Sequence, residues 1–142
     1  MPKLLAFLAC EKIIADEDGS VSLIALLRNI RVAVGKEGIP KNALTPKEWA
    51  IFTLWQPSEP GDVGKTFHQA IQLLWPDGSE FTRSNTEFKV EQGKTNETRV
   101  KILGFPAGQA GKLTLNTWLE EKSPRGAEVY SYTVDVSHNR TS

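Results

Sequence analysis

The chain has 142 residues, 39% of them hydrophobic and 24% charged, the balance of a globular domain and not of a disordered segment. Lys and Arg number 17, as do Asp and Glu, so the formal net charge is zero. That excludes a broad electrostatic attraction to nucleic acid or to an anionic membrane surface. The length suits one domain over residues 1–142, able to bury roughly 68–70% of its extended-chain surface.

In chain order, residues 3–34 read as one long hairpin. Residues 4–9 are a continuous apolar run; Ile13-Ile14 follows, and then a polar break, Ala15-Asp16-Glu17-Asp18-Gly19-Ser20. A second apolar run returns from Val21 to Val34. Asp-Gly between two apolar runs signals a tight turn, since both residues tolerate the positive φ such a turn needs. Uninterrupted apolar runs predict a strand pair covered on both faces, deep in the fold. Leu23, Ile24, Leu26, Leu27 and Ile30 also fit a helix face, but the turn and the partner run favour strands. Gly35-Lys36-Glu37-Gly38-Ile39-Pro40 is a loop. Thr45-Pro46-Lys47-Glu48 carries a helix-start signal, good for at most one turn. The aromatic and β-branched residues that follow predict a strand over 49–56, ended by Pro57 and Pro60, with a turn over 61–64.

From Lys65 the alternation is clear: Phe67, Gln69, Ile71, Leu73 and Trp75 share one face, His68, Ala70, Gln72 and Leu74 the other. Pro76-Asp77-Gly78 supplies a second strong turn, so strands 65–75 and 79–90 form a hairpin. The alternation slips phase near Ser84-Asn85, which predicts a β-bulge or a break there. A polar loop over 92–96 precedes a strand over 98–105 with Val100 and Ile102 inward, and residues 106–111 form another loop. Leu113, Leu115, Thr117 and Leu119 alternate with Thr114, Asn116, Trp118 and Glu120. Ser123-Pro124-Arg125-Gly126 turns the chain into a last strand, where Tyr130, Tyr132, Val134 and Val136 form the apolar face. Residues 138–142 read as a frayed tail. About eight strands with short turns predict two antiparallel sheets packed face to face or a closed barrel. Of these an antiparallel β-sandwich, immunoglobulin-like or C2-like, is the expectation, with helix limited to short turns. Trp49, Trp55 and Trp75 share the parity of the apolar residues in their strands and belong to its core or to layers near its ends.

The residues that carry chemistry are sparse. Cys10 is the one cysteine, so no internal disulfide forms, and its apolar neighbours make it a buried structural thiol and not a nucleophile. Lys3 and the apolar residues up to Ala9 resemble a miniature lipoprotein signal with processing at Cys10, but the apolar segment is short for one. No stretch reaches the roughly 18 apolar residues of a membrane span. Asn96-Glu97-Thr98 and Asn139-Arg140-Thr141 match the glycosylation triplet, which matters only on secretion. His68 reads as an ordinary rim imidazole and His138 as part of the tail. Zinc needs three or four ligands at recognisable spacing, which one Cys and two scattered His do not supply. Asp16 and Asp18, with Asp77 from another turn, resemble part of a calcium loop but read first as solvated hairpin tips. Gly-rich phosphate loops are missing. Trp118 stands out, because it shares a polar face with Asn116 and Glu120, the surroundings of an aromatic that stacks on a sugar or docks a protein.

The opening Leu5-Ala6-Phe7-Leu8-Ala9-Cys10-Glu11-Lys12, with Asp18-Gly19, Ser22-Leu23-Ile24 and Asn29-Ile30-Arg31 after it, resembles that of a bacterial family of small uncharacterised β-sandwich proteins, a domain of unknown function. Pro76-Asp77-Gly78 matches a turn of that family, while Ala25 and Leu27 stand where the family has Gly and Phe. The resemblance implies a β-sandwich and carries over no activity and no catalytic residue. The expectation is a non-catalytic binding or assembly module in the bacterial cytoplasm, without cofactor or metal, membrane or nucleic-acid partner. It would dock a protein, a second copy included, through a sheet edge or the Trp118 face. The alternative is a carbohydrate-binding module using Trp118, Asn116 and Glu120.

Overall fold

The computed structural model describes residues 1–121 and 128–140. The turn expected at Ser123-Pro124-Arg125-Gly126 and the final Thr141 and Ser142 lie outside them. The strands are β1 (Lys3–Ala15), β2 (Val21–Leu26), β3 (Asn29–Val34), β4 (Leu44–Gln56), β5 (Thr66–Leu74), β6 (Glu80–Lys89), β7 (Asn96–Pro106), β8 (Gly111–Leu119) and β9 (Tyr130–Arg140). They form a four-stranded sheet, β2-β1-β4-β7, packed on a five-stranded sheet, β3-β9-β8-β5-β6. The expected all-β sandwich is therefore the observed fold, with nine strands in place of about eight among the described residues.

The added strand comes from the return arm of the first hairpin. Of that arm only β2 pairs with β1, and the chain then crosses to the other sheet, where β3 lies parallel to β9. The crossing is made at Ala25–Arg28. Ala25 adopts a positive φ of 56°, Leu27 N–H donates to Ala9 O at 2.9 Å, and Asp135 N–H donates to Arg28 O at 2.9 Å. The Tyr132 hydroxyl donates to Leu27 O at 2.6 Å. These contacts satisfy the backbone groups that the crossing takes out of the first ladder. The expected deep burial of the whole pair is thus corrected. β2 is a sheet edge, and Ile14, Ile24 and Leu26 are exposed. The final strand runs further than expected. His138, Asn139 and Arg140 are ordered by their pairing with Val32, Ala33 and Val34, and His138 Nε2 lies 2.7 Å from Ala107 O.

Two further expectations shift. No helical turn forms at Thr45-Pro46; β4 begins at Leu44, and its register against β7 jumps between Thr45 and Glu48. Pro46 has no N–H to give a ladder, so a bulge accommodates it. A single 3-10 turn, Pro60–Asp62, instead follows β4, and the Asp62 carboxylate accepts the N–H groups of Ser58 and Glu59, both at 3.0 Å. The slip in β6 lies at Phe81 and not at Ser84-Asn85, since Leu73 pairs with Thr82 and Leu74 with Glu80. The extra residue turns Phe81 inward, edge-on to Trp75 at 5.4 Å.

The inward faces follow the alternation. Phe67, Ile71, Leu73 and Trp75 are buried, as are Leu113, Leu115 and Leu119. So are Trp49 and Trp55. The segment ahead of Cys10 belongs to this core, because Phe7 and Ala9 pack within it. Cys10 is fully buried, and burial pushes its thiol up, away from the reactive thiolate.

The interior is apolar in two separate clusters, one centred on Trp49, Ile51 and Phe105, the other on Trp55, Phe67 and Phe88. A polar layer lies among these strands. Gln69, fully buried, donates through Nε2 to Thr53 Oγ1 at 3.1 Å and to Thr117 Oγ1 at 3.0 Å. Its Oε1 accepts from Thr98 Oγ1 at 3.3 Å, and the Thr53 and Thr98 hydroxyls also contact each other. Thr117 Oγ1 in turn donates to Ala70 O at 2.8 Å. One amide thus joins β4, β5, β7 and β8 across both sheets.

Candidate functional site

The outward face of the five-stranded sheet carries the residues singled out in the sequence. Thr114, Asn116 and Trp118 point outward from β8, opposite the buried Leu113, Leu115 and Thr117. Glu120 is exposed just beyond the strand, where its N–H donates to His68 O at 2.8 Å. Asn116 and Trp118 sit within a polar ladder that crosses four strands. Ser131 Oγ donates to Asn116 Oδ1 at 2.6 Å, Asn116 Nδ2 to Gln72 Oε1 at 3.2 Å, and Gln72 Nε2 to Glu80 Oε1 at 3.0 Å. Arg83 Nε donates to the same Glu80 oxygen at 2.9 Å. The Arg83 guanidinium then lies 5.3 Å from the centroid of the Trp118 ring. Trp118 is half-buried and not a bare platform; a cation occupies its π-face. The Asn116 amide has a partner at each end.

Arg83, Gln72 and Glu80 were not singled out in the sequence. Gln72 and Asn116 are register partners, as are Gln72 and Arg83. Only the pairing of β5 with both neighbours brings them together. Strand alternation alone places each on an outward face without saying which strands adjoin.

His68 lies on the same face, between two carboxylates. Its Nδ1 is 2.6 Å from Glu121 Oε1 and its Nε2 is 3.3 Å from Glu87 Oε2. Glu121 Oε1 also accepts the His68 N–H, at 2.7 Å. The hydrogen bond to Glu121 holds the imidazole above the ordinary histidine value; desolvation opposes it, and the charges of Glu121 and Glu87 add to it. The ring is 53% exposed, and no hydroxyl or thiol among the described residues hydrogen-bonds to it, so the geometry is that of a surface ion cluster and not of a base beside a nucleophile. Because the folded-state value is raised, the cluster contributes stability below the unfolded-state histidine value and loses it as pH rises through the folded one. An NMR titration of the His68 ring is expected to give a midpoint above that of an unperturbed imidazole. Glu121→Gln is expected to move it down, and an unchanged midpoint in that variant would assign the shift elsewhere. Glu87 is the direct cross-strand partner of His68, readable once the register is known. Glu121 lies past the end of β8 and left no signal in the sequence.

No metal set forms. Among the described residues no three His, Cys, Asp or Glu side chains converge as ligands, and Asp16, Asp18 and Asp77 are not brought together. Asp18 Oδ1 accepts the Ser20 N–H at 3.0 Å. Asp77 Oδ1 accepts from Ser79 Oγ at 2.6 Å and from Ser79 N–H at 2.9 Å. These serine contacts hold both carboxyls below the usual carboxylate range. Each aspartate closes its own turn.

Two other surfaces are less polar. A cleft of about 390 Å³ opens between the edges of β6 and β7, lined by Ile71, Leu73, Phe81, Val100, Ile102 and Leu103. The second is the outer edge of β2, Val21-Ser22-Leu23-Ile24-Ala25-Leu26. Ile24 is 44% and Leu26 47% exposed there, and Ile14 on β1 is 41% exposed. Among the described residues no helix is long and apolar enough to cross a membrane. In comparisons with known proteins, no family model matches the sequence and no curated protein matches it.

Proposed function

We propose that the protein is a non-catalytic assembly module that joins other polypeptide through a sheet edge, the edge of β2. The observation that carries this reading is the chemistry of that edge. A sheet edge presents unpaired N–H and C=O groups, and proteins that do not pair there blunt it with charge, proline or a covering element. β2 has neither a charged residue nor a proline over its length, and its Ile24 and Leu26 side chains are exposed. Such an edge is suited to β-augmentation, in which backbone hydrogen bonds supply affinity and alternate side chains supply selectivity. On this reading the module works in the bacterial cytoplasm, which a single buried thiol suits, and it belongs with the small β-sandwich family that its opening resembles. The carbohydrate-binding alternative has less support, since Arg83 lies over the Trp118 ring and both ends of the Asn116 amide are engaged.

The test is a photo-cross-linking phenylalanine analogue placed at Ile24 and, in a separate protein, at Asn85, which is exposed on the opposite sheet. In living cells that make the protein, illumination is expected to give a discrete adduct from position 24 and none from position 85. No adduct from position 24, or equal adducts from both, would overturn the reading.

A further inference from the structure

Resting on that reading, we infer that the polypeptide docked on β2 is a second copy of this chain, paired antiparallel about a two-fold axis at Leu23. The argument starts from which backbone groups are free. Asp16 N–H donates to Ser20 O at 2.8 Å at the mouth of the first turn, and the ladder then pairs Ile14 with Ser22 and Lys12 with Ile24. In an antiparallel pair, hydrogen-bonded and non-bonded positions alternate. Ser22 and Ile24 therefore turn their backbone groups to β1, while Val21 and Leu23 turn theirs to the open side.

A two-fold pairing through these groups sets Leu23 against Leu23 of the other copy and Val21 against Ala25 of the other copy. The same register sets the acidic turn ahead of one copy's β2 beside the end of the other copy's β2, where the chain crosses at Arg28. The charges there are complementary. Asp16, Glu17 and Asp18 lie before the start of β2 and Arg28 after its end. Arg28 is exposed and makes no salt bridge among the described residues. The two-fold doubles the acid–arginine contact, as an isologous interface must.

The other three edges do not offer this. β7 carries Glu97, Arg99 and Lys101, β6 carries Glu80, Arg83, Glu87 and Lys89, and β3 carries Arg31. Charged side chains along an edge are the usual guard against pairing. The formal net charge of zero also removes the long-range repulsion that keeps like chains apart. The product is one continuous sheet of strand order β7-β4-β1-β2 meeting its own reverse.

Sedimentation velocity over a concentration series tests this on the full chain. The intact protein is expected to sediment at twice the chain mass. Ile24→Lys places a charge on the exposed face of the edge, without removing a β1–β2 hydrogen bond, and is expected to give a monomer with unchanged circular dichroism. Arg28→Asp is expected to weaken the dimer about tenfold, and Asp18→Arg combined with Arg28→Asp to recover it. An intact protein of single chain mass at every concentration, or a dimer indifferent to Ile24→Lys, overturns the self-pairing. Failure to recover in the charge swap overturns the register. If the intact protein is monomeric while position 24 still cross-links to a different chain, the assembly reading stands and the second copy falls.

Discussion

Gln69→Leu is expected to lower folding stability by about 3 kcal/mol, although it swaps a polar residue for an apolar one of similar size in the middle of the core. Gln69 is fully buried and is the one partner common to Thr53, Thr98 and Thr117. An intramolecular hydrogen bond adds only about 1 kcal/mol net, but a buried polar atom left without its partner costs about 1–3 kcal/mol. Leucine leaves the Thr53 and Thr98 hydroxyls with only each other and removes the Thr117 hydroxyl's acceptor role. For a chain of this size the loss corresponds to a fall in Tm of about 10 °C, measurable by thermal or urea unfolding. The decisive control is the quadruple variant, with Thr53→Val, Thr98→Val and Thr117→Val added. Removing all the polar members together is expected to restore most of the stability, because no orphan remains. If Gln69→Leu alone costs less than about 1 kcal/mol, the hydroxyls re-pair or are hydrated, and the amide is not the hub of the layer.

Gly108→Ala is expected to be the next most damaging change, at about 2–4 kcal/mol. Gly108 is buried in the loop between β7 and β8, and its N–H donates to Ala43 O at 3.1 Å. A Cβ built there would lie 2.3 Å from Pro40 O and 2.5 Å from both the carbonyl carbon and oxygen of Lys41. All three are backbone atoms, so no side-chain rotation relieves the clash. The loop ahead of β4 must move, and with it the bonds from Ala107 N–H and Gly108 N–H to Ala43 O. Gly35 is the matched control: a Cβ there meets nothing within 4 Å, and Gly35→Ala is expected to stay within about 1 kcal/mol of the parent. Comparable losses in the two variants would show that the close approach at Gly108 does not govern the effect.

Parts of the functional surface were legible in the residues and parts were not. The placement of Trp118, Asn116 and Glu120 away from the core follows from strand alternation. The cover over Trp118 does not, because Arg83 reaches it from β6, two strands away in the sheet order. His68 could be placed on an outward face, but not between Glu87 and Glu121, since one lies across the hairpin and the other beyond β8. The lack of charge in Val21-Ser22-Leu23-Ile24-Ala25-Leu26 was visible from the start. Its meaning was reversed: uninterrupted apolar residues read as a doubly covered interior strand, yet they form an uncovered edge.

The sequence by itself determined most of the strands, the buried faces of β5, β8 and β9 and the two Asp-Gly turns, because side-chain alternation and turn chemistry are local properties of neighbouring residues. The glycines at those turns, Gly19 and Gly78, have φ of 91° and 90°, as the tight reversals require. Only the tertiary structure decided which sheet each strand joins. The apolar pattern runs on through Leu27 with no glycine or proline to mark the crossing, and strand partners are chosen by backbone hydrogen bonds between distant segments. Tyr132 reaching Leu27 O, and β9 lying beside β3, settle that choice from more than a hundred residues away. The same choice left β2 at an edge.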